Sequence, residues 1–365
     1  MAVKALSVYL GPSAARQLAA EGWSPSLFRL LLGASGGPKW FALSQLDRVL
    51  FGNFLQGATT PLATLGSSIG AWRNACLGTA DPAAAIARME QAYLHQYYAR
   101  KPTPRIVSDY SGRILRDMLG PGGAAEVLDN TRIHSHIVTA RGRGAAGARS
   151  APVLAAAMAA AALGNSLSRQ WLRHAFQRVV FHSGAMPLAG LPFEDFDTAY
   201  TPLNAGNLTA ALHASGAIPF VLAGERDIAN APSGQYWDGG IIDYHFDLQR
   251  FAGDGLVLYP HFRPDITPGW FDKFLPWRSR RACSLDQLVL LCPSAEFVAG
   301  LPFGKIPDRS DFTRLGHEER VRYWEQCVSQ CAALAEEFQE LINGSDPLAG
   351  SVLLQGPAQR MCSSR

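Results

Sequence analysis

The sequence predicts a layered α/β fold built around a central sheet. Short aliphatic runs that favour strands alternate with longer segments in which apolar residues recur at helical spacing. Turns that contain glycine connect the first two predicted strands to the helices after them, at residues 33–38 and 66–70. Since alternating strands, turns and helices are the pattern of a sheet covered by helices, we expect an α/β architecture.

Apolar runs and capping residues place the elements in chain order. The first 25 residues predict a short helix, and Asp81 ahead of an apolar-periodic segment is typical of a helix N-cap. We expect strands at residues 28–32, 62–65, 133–140, 178–181 and 256–259. We expect helices at residues 39–54, from 71 onward, at 82–98, 152–163 and 166–178, and through much of 310–342.

Composition and charge narrow the class of protein. A chain of 365 residues, 48% hydrophobic and 17% charged, can bury a large core in one large or two modest domains. The net charge of +3 is too small to indicate a nucleic-acid partner. The sequence has no run of eighteen apolar residues to span a membrane, and its first residues do not resemble a signal peptide, so we expect a cytoplasmic protein.

The cysteines and histidines do not follow a metal-site pattern. The six cysteines include no C-x-x-C pair, and we expect reduced thiols at Cys76, Cys283, Cys292, Cys327, Cys331 and Cys362. His134 and His136 share one face of a predicted strand, but no third ligand lies nearby in the sequence, so we expect a surface pair. We therefore expect neither a metal nor a cofactor.

A serine stands on the turn between the second predicted strand and its helix. Residues 66–70 read Gly-Ser-Ser-Ile-Gly, and Ser68 occupies the centre of a G-x-S-x-G motif. Gly66 and Gly70 keep bulky side chains away from the turn, and the following helix directs free N–H groups and its positive dipole end towards it. This arrangement is typical of a serine nucleophile, and a helix-capping serine fits the same string.

Two further segments supply the groups that such a serine needs. Residues 33–39, Gly-Ala-Ser-Gly-Gly-Pro-Lys, form a turn that presents several backbone N–H groups to one point and can bind an oxyanion or a phosphate. Their spacing matches neither a P-loop nor a dinucleotide fingerprint. Downstream, Asp238 follows an aromatic strand end and precedes Gly239 and Gly240, so its carboxylate lies close to backbone and can approach a second loop.

The order and spacing of these three motifs resemble the patatin-like phospholipases. Residues 214–220, Ala-Ser-Gly-Ala-Ile-Pro-Phe, resemble the segment ahead of the aspartate motif in that family, and the similarity extends over residues 26–258. The resemblance implies a three-layer α/β/α sandwich around a mainly parallel sheet, with a catalytic core at residues 26–260. We expect residues 261–365 to form a helix-rich extension packed on that core, with a flexible tail after about residue 344.

The resemblance also implies roles for individual residues. It makes Ser68 the nucleophile and Asp238 its general base, and it assigns the oxyanion hole to the glycine-rich turn. That turn departs from the family pattern G-G-G-x-[RK]-G at Ser35 and Trp40, and Pro38 has no N–H to donate. The remaining candidate donors are the backbone N–H groups of Gly36, Gly37, Lys39 and Ile69.

We therefore expect a lipid acyl hydrolase that uses a Ser68–Asp238 dyad and an acyl-enzyme intermediate. Burial must raise the pKa of Asp238 if it is to act as a base near pH 7. Two alternatives stay open: an α/β-hydrolase triad completed by His245 or His261, and a catalytically weak lipid-binding protein of the same fold.

Two aromatic and basic stretches bear on where the protein acts. Residues 166–178 and 270–281 combine tryptophan, phenylalanine and leucine with arginine and lysine. Such stretches suit contact with an anionic lipid surface, and they also suit an ordinary segment docked on the protein surface. The two stretches therefore indicate either peripheral contact with a membrane or segments that dock on the protein itself.

Overall fold

A mostly parallel β-sheet runs through the middle of the molecule. The computed structural model describes residues 3–184, 193–248, 253–278, 280–281 and 286–354. Its strands are β1 (Leu6–Leu10), β2 (Phe28–Gly33), β3 (Leu62–Ser67), β4 (Ile133–Gly142), β5 (Phe176–His182), β6 (Thr198–Pro202), β7 (Glu225–Arg226), β8 (Gln235–Asp238), β9 (Leu256–Pro260), β10 (Asp265–Ile266), β11 (Arg280–Arg281), β12 (Leu288–Pro293) and β13 (Ser351–Leu353).

The strand order confirms the predicted fold class. Eleven of the described strands form one sheet in the order β13-β1-β12-β9-β2-β3-β4-β5-β6, with β8 paired to β4 and β7 paired to β8. The central strands β12, β9, β2, β3 and β4 run parallel to one another. Antiparallel pairing occurs between β1 and β12, between β4 and β5, and at β8. The protein is therefore a mixed α/β protein with a mainly parallel sheet.

Helices cover the sheet. The described α-helices are α1 (Pro12–Glu21), α2 (Ser44–Gly52), α3 (Ile69–Leu77), α4 (Pro82–Leu94), α5 (Pro104–Leu119), α6 (Gly123–Asp129), α7 (Ala151–Leu167), α8 (Leu172–Ala175), α9 (Leu208–Ser215), α10 (Ala295–Gly300), α11 (Asp311–Arg314), α12 (His317–Gln330) and α13 (Ala332–Asn343). Short 3-10 helices include Gly37–Leu43, Arg169–Trp171, Gly239–Ile241, Trp270–Phe274 and Pro276–Arg278. No helix in the described ranges is long and apolar enough to cross a membrane.

The sheet separates two apolar cores. Along β2, Leu31 faces the larger core, whereas Leu30 and Leu32 face the other side, because successive side chains of a strand point in opposite directions. The larger core also contains buried residues of α2–α5, α12 and α13. On the opposite side, α7 packs with the segment around Ile241 and Phe271. This arrangement gives the helix–sheet–helix layering that the fold class requires.

One predicted helix is wrong. The sequence predicts a helix at residues 166–178, but α7 continues to Leu167, a 3-10 turn and the short α8 follow, and β5 begins at Phe176. The pattern treats Arg178 as solvated, whereas its guanidinium is buried and lies 2.7 Å from the Asp243 carboxylate. Long-range ion pairing therefore overrides the local amphipathic pattern here.

The two ends of the described chain meet at one sheet edge. Strand β1 precedes the helix predicted for the first 25 residues, and β13 pairs with β1 in parallel. The tail predicted to be flexible after residue 344 therefore contains an ordered strand at Ser351–Leu353. Strand β12 lies between β1 and β9, so the region after residue 260 completes the sheet as well as adding helices to it.

Candidate active site

Ser68 occupies a strained turn between a strand and a helix. Strand β3 ends at Ser67 and α3 begins at Ile69, and Ser68 between them has φ 56° and ψ −131°. A positive φ is uncommon for a residue with a side chain and costs about 1–3 kcal/mol. The Ser68 N–H donates to the Ser215 hydroxyl at 2.9 Å, and that hydroxyl donates to the Val138 carbonyl at 2.7 Å. These bonds hold the turn in its unusual conformation.

The flanking glycines are required by close backbone packing. A Cβ atom on Gly70 would lie 2.0 Å from the carbonyl oxygen of Gly33, and one on Gly66 would lie 2.6 Å from the Ala71 Cα. Neither distance is compatible with a side chain. The serine turn is therefore pressed directly against the end of β2, where the glycine-rich turn begins.

Asp238 is the hydrogen-bond partner of Ser68. The Ser68 Oγ donates to Asp238 Oδ2 at 2.8 Å, and the Gly240 N–H donates to the other carboxylate oxygen at 2.7 Å. A Cβ on Gly239 would lie 2.2 Å from the Val138 carbonyl oxygen, so glycine is needed for this close approach. The neighbouring Ser67 points into the fold, where it is fully buried and accepts a hydrogen bond from the Ser35 hydroxyl.

The environment of Asp238 makes its carboxylate more basic. Burial raises the pKa of Asp238 to about 6, while hydrogen bonds from Ser68 and Gly240 and the positive charges of Arg309 and Lys273 act in the opposite direction. At pH 7 the carboxylate is mostly ionised but holds a proton far more readily than an exposed aspartate. Such a group can accept the proton of an attacking hydroxyl.

The glycine-rich turn lies beside the serine. Gly37 has φ 55°, in the left-handed region, and a Cβ on Gly36 would lie 2.7 Å from the Phe262 ring. Within the described chain, the N–H groups of Gly36, Gly37 and Ile69 have no hydrogen-bond acceptor, whereas the Lys39 N–H is directed at the Gly36 carbonyl at 3.4 Å. The predicted donors therefore divide into three free N–H groups and one that is engaged within the turn.

A cavity of about 230 Å³ opens onto the pair of Ser68 and Asp238. Gly36 and Gly37 form part of its wall, as do Ile218 and Pro219 of the segment noted in the sequence. The carbonyl of Ala217 in that segment accepts the Asp238 N–H at 2.8 Å. The segment therefore fixes Asp238 as well as bordering the space in front of it.

Cationic side chains line the same cavity. They are Lys39, Lys273 and Arg309, which come from three separate parts of the chain. Lys39 was predicted as a backbone donor, and Lys273 lies in one of the aromatic and basic stretches. Nothing in the sequence around Arg309 indicates a site, since it lies in an irregular loop ahead of α11. Sequence reasoning therefore missed this charged wall.

The two histidines of the alternative triad lie elsewhere. The His245 Nδ1 accepts the Thr267 N–H at 2.9 Å, and the His261 Nδ1 accepts the Arg263 N–H at 3.1 Å. Their rings pack edge to face at 4.3 Å, and neither Nε2 has a partner in the described chain. Burial lowers the pKa of His261 to about 3 and that of His245 well below its usual value, so both rings stay neutral.

His136 and the described cysteines are buried. His136 is not on the surface as predicted: it is buried, its Nδ1 lies 3.0 Å from the Thr64 carbonyl oxygen, and its ring stacks on that of His182. The described cysteines, Cys76, Cys292, Cys327 and Cys331, are free and buried, and Cys283 and Cys362 lie outside the described residues. The described ranges contain no cluster of three or more metal-ligating side chains.

The two aromatic and basic stretches meet beside the cavity. The Arg169 guanidinium of the first stretch lies 4.0 Å from the Asp272 carboxylate of the second, and the Arg278 guanidinium donates at 2.7 Å to the carbonyl of Asn165, which directly precedes the first stretch. Large apolar side chains are exposed on both stretches, and we call this set the aromatic rim: Leu167, Trp171, Phe274 and Trp277. Trp270 and Lys273 belong to the second stretch and also line the cavity, so this stretch connects the cavity with Phe274 and Trp277 of the aromatic rim.

Comparison with known proteins gives one match. A family model described as patatin-like phospholipase matches residues 55–245, which include Ser68 and Asp238. No curated protein sequence matches the chain. The glycine-rich turn lies ahead of the matched region, and Lys273 and Arg309 lie after it.

Proposed function

The chain belongs to the patatin-like phospholipase family and is a hydrolase acting on lipid esters, and on that premise we propose that Ser68 and Asp238 form its catalytic dyad. The observation that supports this proposal is the 2.8 Å hydrogen bond from the Ser68 hydroxyl to the Asp238 carboxylate at the cavity wall. A serine proton that already points at a basic carboxylate needs only a correctly placed acyl carbonyl in front of it.

The reaction proceeds in two stages. The Ser68 Oγ attacks the acyl carbonyl carbon while its proton passes to Asp238, which returns that proton to the departing alcohol as the ester bond breaks. Water then enters, Asp238 accepts its proton, and the hydroxide attacks the acyl-serine. As the bond between the acyl group and the Ser68 Oγ breaks, Asp238 returns this proton to the Oγ, so the fatty acid leaves and both residues are regenerated. No histidine takes part in this sequence.

When Ser68 attacks, negative charge develops on the substrate's carbonyl oxygen, and hydrogen-bond donors are needed to stabilise it. We assign this role to the backbone N–H groups of Gly36, Gly37 and Ile69, which have no competing acceptor in the described chain. The Lys39 N–H is the weakest of the predicted donors because it is directed at Gly36. One such donor is worth about 3 kcal/mol of transition-state stabilisation in other hydrolases.

Labelling tests the nucleophile directly. A fluorophosphonate probe should modify Ser68, and Ser68→Ala should abolish both the label and the turnover of p-nitrophenyl esters and phospholipids. Ser67→Ala is the matched control, because this neighbouring serine is buried and turned away from the cavity. An adduct mapped to Ser67, or ester turnover that survives Ser68→Ala, would refute the dyad. A correctly folded protein that binds lipid but turns over no ester supports the lipid-binding alternative.

Contact with a membrane surface is the second part of the proposal. The aromatic rim exposes 79% of Leu167 and 72% of Phe274, and Lys273, next to Phe274 in the chain, adds positive charge at the cavity. Apolar side chains among cations suit a layer of anionic lipid. Leu167→Ser should weaken flotation with phosphatidylglycerol vesicles, whereas Leu353→Ser, at an exposed leucine on β13, should not. Equal effects would argue against a docking face. A cytoplasmic location stays a prediction from the sequence.

A further inference from the structure

The charged wall of the cavity is assembled from distant parts of the chain. Lys39 follows the glycine-rich turn, Lys273 lies in the 3-10 helix Trp270–Phe274, and Arg309 precedes α11. All three side chains line the cavity that contains Ser68 and Asp238. Arg309 approaches the glycine-rich turn closely, since a Cβ on Gly37 would lie 3.2 Å from a terminal nitrogen of its guanidinium.

The acidic groups Asp238 and Asp308 act on these cations only at a distance. None forms an ion pair with an acidic side chain of the described chain, and the residues outside the described ranges include no aspartate or glutamate. Asp308 also lines the cavity, but one of its carboxylate oxygens accepts from Lys305 at 3.0 Å and the other from the Ser310 N–H at 2.7 Å. Asp238, which also lines the cavity, already accepts hydrogen bonds from Ser68 and Gly240.

Aromatic rings hold the two lysines in place without neutralising them. The Lys39 ammonium lies 5.0 Å from the centre of the Phe262 ring, and the Lys273 ammonium lies 3.7 Å from that of Tyr244. The Lys273 side chain is exposed overall, but its ammonium group is partly desolvated. This desolvation and the positive charges of Lys39 and Arg309 lower the pKa of Lys273 to about 7. Like charges gathered in this way repel one another until an anion joins them.

We propose that Lys39, Lys273 and Arg309 form a subsite for a phosphate group carried by the leaving alcohol, so that the enzyme selects acyl esters of a glycerol phosphate over uncharged acyl esters. This inference rests on the proposed function of Ser68 and Asp238. A terminal phosphate monoester carries about −1.5 to −2 charges near pH 7, which suits three cations better than a phosphocholine whose own positive charge offsets the phosphate.

The size of the cavity suits a head-group subsite. A volume of about 230 Å³ is small for a whole lipid, so the polar end of the substrate occupies it and the acyl chain leaves through the mouth. All three cations lie outside residues 55–245, the region matched by the family model. Lys39 occupies the basic position of the family's glycine-rich pattern, whereas Lys273 and Arg309 come from the segment after the matched region.

Three substrates with the same acyl chain, offered to the full-length protein as monomers, test the selectivity. They are a 1-acylglycerol 3-phosphate, the corresponding phosphocholine and the corresponding monoacylglycerol. We expect kcat/KM for the phosphate to exceed that for the monoacylglycerol by about tenfold or more, with the phosphocholine between them. Arg309→Gln should reduce this ratio by about tenfold. Arg314→Gln, at an exposed arginine of the same segment that does not line the cavity, should leave the ratio unchanged.

A binding measurement separates this inference from the catalytic proposal. In the Ser68→Ala protein, calorimetry should detect n-octyl phosphate but not n-octyl glucoside, and Arg309→Gln added to that background should weaken n-octyl phosphate binding by about tenfold. The subsite is refuted if neither the kcat/KM ratio nor this binding depends on Arg309. Inorganic phosphate that binds as tightly as n-octyl phosphate also refutes it, since the site then reads a free ion. If Ser68→Ala retains turnover, the dyad fails while the binding result still decides the subsite.

Discussion

The two walls of the active-site cavity are built in different ways. The wall that carries Ser68 is held by backbone: a positive φ, glycines in contact with neighbouring carbonyls, the hydrogen bond that the Ser68 N–H donates to Ser215, and the one that Asp238 accepts from the Gly240 N–H. A second part of the lining is formed by long side chains, Lys39, Lys273 and Arg309, which extend from short 3-10 segments and a loop. A backbone-built wall tolerates little change, whereas a side-chain wall can be altered one charge at a time. The proposed chemistry and the proposed selectivity therefore depend on different residues of the same cavity.

The largest effect is expected from the backbone-built wall. Asp238→Asn should lower kcat/KM for any acyl ester by about a thousandfold, because the amide cannot accept the serine proton. Steady-state assays with a p-nitrophenyl ester and a phospholipid measure this loss. His245→Ala and His261→Ala should each retain about a tenth of the activity or more. A histidine variant as inactive as Asp238→Asn would favour the α/β-hydrolase triad instead.

A test of rigidity comes next. Gly70→Ala should lower the free energy of unfolding by about 3 kcal/mol, because its methyl group would meet the Gly33 carbonyl oxygen at 2.0 Å. Gly112→Ala in α5 is the matched control, since a methyl group there meets only the end of the Arg116 side chain at 3.6 Å and should raise helix stability slightly. Denaturant titration compares the two. If the two variants changed the free energy of unfolding equally, the serine turn could relax around a methyl group and would not be a rigid wall.

The pH dependence should report each wall separately. With a neutral ester, kcat/KM should rise with pH through about 6, because Asp238 must lose its proton before it can act as a base. With an acylglycerol phosphate, kcat/KM should also fall above pH 7 as Lys273, whose pKa is about 7, loses its charge. Arg309→Gln should move the rising limb to higher pH, since Arg309 lowers the pKa of Asp238. Identical profiles for the two substrates would count against a separate charged wall.

The smallest effect is expected at Pro38. This residue lies in the 3-10 helix that follows Gly37, where its ring fixes φ and it has no N–H. Pro38→Gly adds a donor but loosens the turn, and we expect the loss of rigidity to lower kcat by about two- to threefold. Single-turnover kinetics with an activated ester measure the acylation step. A clear rise in kcat would show that a missing oxyanion donor limits the enzyme.

The sequence reveals most where function depends on local backbone. The serine turn, the glycine-rich turn and the aspartate motif each consist of a few consecutive residues, so their geometry follows from the glycines between strand and helix. Arg309 could not be predicted in the same way, because its position at the cavity depends on how the segment before α11 packs against the glycine-rich turn. The prediction of a helix at residues 166–178 was wrong for a related reason. Arg178 is buried in ion pairs with Asp195 and Asp243, which lie far from it in the sequence.

The contact between Gly33 and Gly70 has a consequence for motion. With no side chain on either residue, the carbonyl of each lies where the Cβ of the other would be, and the ends of β2 and β3 are locked together. We therefore expect any displacement of the serine turn to be coupled to a displacement of the glycine-rich turn. The separation between the Ser68 Oγ and the proposed oxyanion donors of the glycine-rich turn should therefore vary little. Slow steps of turnover should accordingly reside in substrate entry and product departure, because the reacting groups are already aligned before the lipid arrives.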